Sequence, residues 1–122
     1  MAIKVIDASA LAAILFSEPE AAQVVSLLGN DTLVAPALLA FEMASVCLKK
    51  LRRYPKKRNA ILAAYALGHQ MDIEVVSVPL DSAIPLAEQK GLTLYDAVYV
   101  WLAKSLNAEL MTLDKTMQKA LH

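Results

Sequence analysis

The stretch "MAIKVIDASALAAILFSEPE", residues 1–20, decides the fold. Its short apolar run IKVI (3–6) suits a strand, Asp7 suits a helix N-cap, and the residues that follow are apolar at helical spacing. The segment superficially resembles a secretion leader. Asp7 splits the apolar stretch, however, and no convincing small-residue cleavage site follows, so it reads as a strand and then a helix. The pattern recurs: strand-like runs stand at TLVA (32–35), IEVVSV (73–78) and ELMTL (109–113), separated by longer helical patterns. Strands alternating with helices predict an α/β fold with a mostly parallel central sheet of four or five strands, flanked by helices.

Helices are expected over roughly 9–16, 20–29, 37–53, 56–70, 81–89, 94–106 and 115–121. The two between the second and third strands form a hairpin turned at Tyr54–Pro55, where proline ends one helix and suits the start of the next. No internal repeat, low-complexity tract or linker interrupts the chain, so residues 1–122 read as one domain.

Of the 122 residues, 57% are hydrophobic, and the mean hydropathy is +0.45. Both are high for a small domain that must cover itself with polar groups, which implies apolar surface buried against a partner. No apolar run approaches the ~18 residues of a membrane span. The single cysteine, Cys47, lies among helical apolar residues, which excludes a disulfide framework and predicts a buried structural thiol. A cytoplasmic location follows as the default. The formal net charge is zero, yet "KKLRRYPKKR" (49–58) holds Lys49, Lys50, Arg52, Arg53, Lys56, Lys57 and Arg58 without a single acid. So concentrated a basic segment implies an anionic contact, or else a solvated hairpin tip.

Four acids stand out. Asp7 follows the first strand and Asp114 the last, at the sheet edge where parallel sheets bind ligands, although each also suits an N-cap. Asp96 lies in "GLTLYDAVYVWLAK" (91–104), where Thr93 and Asp96 resemble a capping box. Residues 92–103 otherwise lack a charge, which implies a helix buried on most sides. Glu42 lies well inside its helix, with Leu38, Leu39, Ser45 and Val46 at helical spacing. An unpaired carboxylate there is costly by several kcal/mol, so it needs either a salt bridge to the basic segment or a shared role with the other acids.

If all four converge, two carboxylates ~5 Å apart repel by roughly 3 kcal/mol at an effective dielectric near 20, and a divalent cation is the natural neutraliser. His69 and His122 are far from these motifs and one cysteine cannot build a zinc site, so oxygen ligands remain and favour Mg²⁺ or Mn²⁺. Such an ion suits phosphoryl chemistry, and the basic segment would then neutralise the backbone of an incoming nucleic acid.

At these four segments the chain resembles the PIN domains, and in particular the VapC-type toxins of toxin–antitoxin pairs. The resemblance rests on "VIDASALAAILFSEPEA", "FEMASV", "LYDAVYVWLA" and "LMTLDKTM" in that order, and it spans nearly the whole chain. It implies a three-layer α/β/α fold and an endoribonuclease in which Asp7, Glu42, Asp96 and Asp114 bind Mg²⁺ or Mn²⁺, Asp7 and Asp96 most directly. Ser9 and Thr112 match hydroxyl positions that would orient carboxylates or waters. The resemblance further implies hydrolysis of an RNA phosphodiester to a 5′-phosphate and a 3′-hydroxyl, a homodimer, and an antitoxin that wraps the toxin and blocks the acidic pocket. Lys115 stands directly after the last acid, and a further acid found nearby in some relatives is missing, which leaves open whether one metal ion binds or two.

Two rivals are weighed against this. A phosphoreceiver domain would need paired acids after the first strand and an aspartate after the middle one; here Ala8 follows Asp7, and IEVVSV runs into Pro79. A non-catalytic PIN-like module that binds RNA or protein as a scaffold is the stronger rival, opposed by the presence of all four acids.

Overall fold

The computed structural model describes residues 2–122. Four strands, β1 (Ile3–Ile6), β2 (Thr32–Pro36), β3 (Ile73–Val76) and β4 (Glu109–Met111), form one sheet in the order β3-β2-β1-β4. Every neighbouring pair is parallel. The helices are α1 (Ala8–Leu15), α2 (Ala21–Leu28), α3 (Leu38–Arg53), α4 (Arg58–Leu67), α5 (Leu80–Lys90), α6 (Leu94–Ser105) and α7 (Lys115–Leu121). The expected α/β fold with a parallel sheet is therefore present, with four strands.

The strand register divides the core in two. Val5 stands opposite both Val34 and Leu110, and the next residue along, Ile6, stands opposite Met111. Successive strand side chains point to opposite faces. Val5, Val34 and Leu110 accordingly pack with Tyr99, Val100 and Leu102 of α6 and Met117 of α7. Ile6, Ala35 and Met111 pack with Leu11 of α1, Val24 of α2, and Leu39 and Met43 of α3. Both Val5 and Ile6 are fully buried. Truncating Ile6 to alanine would remove about 2–5 kcal/mol.

Helix boundaries depart from expectation where backbone hydrogen bonding is diverted. Tyr54 leaves the helical region at φ −126°, ψ 64°, as a residue before proline does, and Pro55–Lys57 forms a 3₁₀ turn before α4 begins. The segment expected as one helix over 56–70 is thus a 3₁₀ turn, α4, and a second 3₁₀ turn at Gly68–Gln70. β4 stops at Met111 rather than 113 because side chains take the next amides. Leu113 N–H donates to Ser9 Oγ and Asp114 N–H to Thr112 Oγ1. Cys47 is a buried free thiol in α3, as expected.

Strand order also fixes where a ligand can bind. After β1 the chain turns into α1 on one face of the sheet, and after the adjacent β4 it turns into α7 on the other. The ends of these two strands therefore part around a crevice at the switch point. Elsewhere the fold leaves large apolar side chains in solvent, with Phe41 75%, Val75 66% and Tyr95 61% exposed. Among the described residues no helix is long and apolar enough to cross a membrane.

Candidate active site

Asp7 begins the site, immediately after β1 and only 4% exposed. Its Oδ1 accepts from Ala10 N–H at 3.0 Å, capping α1, and from Ser9 Oγ at 2.8 Å. Its Oδ2 accepts from Thr112 Oγ1 at 2.5 Å, across 105 residues of sequence. A carboxylate offers about four lone pairs. Three are engaged, and the fourth lies on Oδ2.

Thr112 and Ser9 tie the two strand ends together. Thr112 Oγ1 gives its proton to Asp7 and accepts from Asp114 N–H at 2.9 Å, while Ser9 Oγ gives its proton to Asp7 and accepts from Leu113 N–H at 2.9 Å. Each hydroxyl thus uses both its donor and its acceptor capacity. Asp114 caps α7, with Oδ1 accepting from Thr116 N–H at 2.8 Å and Met117 N–H at 3.3 Å.

Glu42 enters from α3 and Asp96 from the first turn of α6, where Asp96 N–H donates to Thr93 Oγ1 at 3.1 Å. Glu42 pairs with no cation. Its Oε1 accepts from the Tyr99 hydroxyl at 2.6 Å, so the salt bridge open at the sequence level is replaced by a phenol. Tyr99 is the residue that sequence reasoning missed. The signal was present: it lies three residues after Asp96 on a helix otherwise nearly free of polar groups, and a buried tyrosine needs a partner for its hydroxyl.

Electrostatics link the four acids. Burial raises the pKa of Asp7, partly offset by its donors Thr112, Ala10 and Ser9, and the Asp114 charge raises it further. Burial raises Glu42 against the opposing Tyr99 bond, and the charges of Asp7 and Asp96 add to the effect. Asp96 is raised by burial and then by the charges of Asp114 and Asp7. Burial and the Glu42 contact hold the Tyr99 phenol far above its ordinary value, so it remains a donor. No lysine or arginine is among the charges acting on Asp7, Glu42 or Asp96.

Each acid thus senses at least one other, yet among the described residues no three acidic, histidine or cysteine side chains are grouped closely enough to ligate one ion. The basic segment lies apart, at the far end of α3 and the start of α4. Its residues meet aromatic rings instead of acids: Lys50 Nζ is 4.9 Å from the Phe16 ring centre, and Arg53 and Lys57 are 5.5 and 5.6 Å from that of Tyr54. The one ion pair among the described residues is Lys4–Asp31, at 2.9 Å, joining β1 to the residue that precedes β2 and involving none of the four acids.

The sheet order and the hydroxyl-braced Asp7 at its switch point are accompanied by a family match: the PIN domain family model matches residues 4–121. The chain belongs to the PIN domain family, of the VapC type. It is 30% identical over 118 residues to Ribonuclease VapC3 of Pyrobaculum aerophilum, covering 93% of this chain and 90% of that one. In fold it is similar to the crystal structure of PAE2754 from the same organism, with a TM-score of 0.79 and 24% identity over 98% of this chain and 84% of that one.

Proposed function

We propose that the protein is a Mg²⁺- or Mn²⁺-dependent endoribonuclease, built as one PIN domain over residues 1–122, and the toxin of a toxin–antitoxin pair. The observation that carries this reading is that Asp7, Glu42 and Asp96 each feel the charge of another acid of the set, Asp114 acting on Asp7 and Asp96, with no lysine or arginine among the charges acting on those three. Family membership and the likeness to a ribonuclease support RNA as the substrate.

The donor set fits a hard cation. All the ligating atoms would be oxygens, and Mg²⁺ is commonly held by one or two carboxylates while keeping several waters, so three chelating side chains are not required. Asp7, through the open lone pair on Oδ2, and Asp96 would hold it, with Glu42 and Asp114 completing the negative field. When bound there, the cation would supply Lewis-acid polarisation of the phosphate and would lower the pKa of the attacking water.

The chain's own residues position this chemistry. Ser9, Thr112 and the Ala10 amide fix the orientation of Asp7. Tyr99 holds Glu42 by Oε1, which leaves Oε2 to accept the proton of the attacking water. Its raised pKa makes Glu42 a stronger base than an exposed carboxylate. The products would be a 5′-phosphate and a 3′-hydroxyl. The exposed Phe41, Val75 and Tyr95 support a homodimer and a bound antitoxin, and the free buried Cys47 supports a cytoplasmic setting.

The deciding experiment incubates the protein, stripped of any co-purifying partner, with a mixed structured RNA pool in Mg²⁺ or Mn²⁺. Cleavage at discrete sites, abolished by EDTA and by Asp7→Asn, is the expected result. Metal binding without cleavage of any RNA would favour the scaffold reading.

A further inference from the structure

The seven basic residues at 49–58 differ in which way they face. An α-helix turns ~100° per residue, so Lys49 and Arg53, seven and eleven residues after Glu42, lie within ~20° of its face of α3. Lys50 and Arg52 fall ~80° to either side. Burial marks off Lys50 alone: Leu39, Met43 and Cys47 form the buried stripe, Lys50 is half-buried at its edge against Phe16, and Lys49, Arg52 and Arg53 are exposed, so Arg52 is set apart by its direction on the helix and not by burial. Neither Lys49 nor Arg53 pairs with an acid. Arg53 is steadied instead by the Tyr54 ring, which Lys57 also approaches.

We infer that single-stranded RNA leaving the acidic crevice runs along this face of α3, with Lys49 and then Arg53 contacting successive backbone phosphates. By helical rise these two stand ~10 Å and ~16 Å from Glu42 along the axis. An acidic crevice repels the polyanion it cleaves, so attraction must come from a point displaced along the strand from the cut. Lys49 and Arg53 supply it on the same helix face as a site acid, and the guanidinium held over Tyr54 is ordered before RNA arrives. Lys50 is tied to packing with Phe16 and Arg52 points aside, so neither lies on the track.

The inference rests on the nuclease reading, and its test separates the two. A short, unstructured, fluorescent RNA is titrated into Asp7→Asn protein at several salt concentrations, with Lys49→Ala/Arg53→Ala compared against Lys50→Ala/Arg52→Ala. The first pair should weaken binding about tenfold at low salt and reduce the slope of log K against log salt by about 1.4, two phosphate contacts at ~0.7 each. The second pair, which removes the same formal charge, should leave the slope near that of the parent. Equal losses in both pairs, or no loss in either, would overturn the track in favour of a solvated basic tip. In the Asp7 background, the Lys49→Ala/Arg53→Ala protein should raise KM for RNA with little change in kcat. An unchanged KM alongside active cleavage overturns the track alone, whereas a parent that never cleaves overturns the nuclease reading.

Discussion

The Tyr99 hydroxyl donates to Glu42 Oε1 at 2.6 Å, joining α6 to α3 beside the ends of β1 and β4. The bond lowers the Glu42 pKa against the burial that raises it. Tyr99→Phe removes the bond without changing the ring. Glu42 should then titrate higher, moving the acidic limb of the pH–rate profile to higher pH. Activity at neutral pH should drop about 10–100-fold, and stability should change by about 1 kcal/mol. An acidic limb that stays in place would show that Glu42 is not the group reporting there.

Thr112 should be replaceable by serine but not by valine. Valine keeps the shape and removes both the donor to Asp7 and the acceptor for Asp114 N–H. Leaving these groups unpaired in a partly buried site should cost about 1–3 kcal/mol of stability, read by chemical denaturation, and cleavage should fall about 10–100-fold. Thr112→Ser should recover most of both.

Asp7→Asn tests the charge rather than the cap. The asparagine oxygen can still accept from Ala10 N–H, so α1 should remain capped and the circular dichroism spectrum unchanged. Cleavage should fall by at least about 100-fold, and calorimetric Mg²⁺ binding should weaken with it.

Without metal, the acids should oppose the fold at neutral pH. A pKa raised in the folded state means that this state binds more protons than the unfolded chain between the two pKa values, so stability falls as pH rises through that interval. For Asp7 and Asp96 the interval opens near 3.8, and for Glu42 near 4.5. Each group's favourable contribution is fully present below its opening value and is lost as pH climbs past the raised value. Asp96→Asn should therefore raise the melting temperature in EDTA at pH 7, and this gain should vanish as pH approaches 4. Mg²⁺ should raise the wild-type melting temperature at pH 7 by mass action. Coincident wild-type melts with Mg²⁺ and with EDTA would count against a shared metal site.

The strands and their order of appearance were legible because IKVI, TLVA, IEVVSV and ELMTL are short apolar runs set between longer helical patterns. A mostly parallel sheet followed from that alternation, whereas the position of β1 between β2 and β4 depends on pairings no single segment encodes. Asp7 and Asp114 could be placed near the binding edge because each follows a strand, Asp7 directly and Asp114 after the two residues that succeed β4. The Glu42 partner could not be read, since Tyr99 lies 57 residues away and only the packing of α6 brings it within reach. The early end of β4 was hidden for a related reason: Ser9, 104 residues distant, takes the Leu113 amide that a longer strand would have needed.

Asp7 and Thr112 meet across 105 residues, and that separation has a consequence for folding. Closing so long a loop costs chain entropy that forming a helix within one segment does not, so this contact belongs with the non-local pairings that slow folding. Asp7 can cap α1 through Ala10 N–H as soon as that helix forms, whereas the brace from Thr112 waits until β4 has docked beside β1. The acid at the head of the site is thus placed early and locked late.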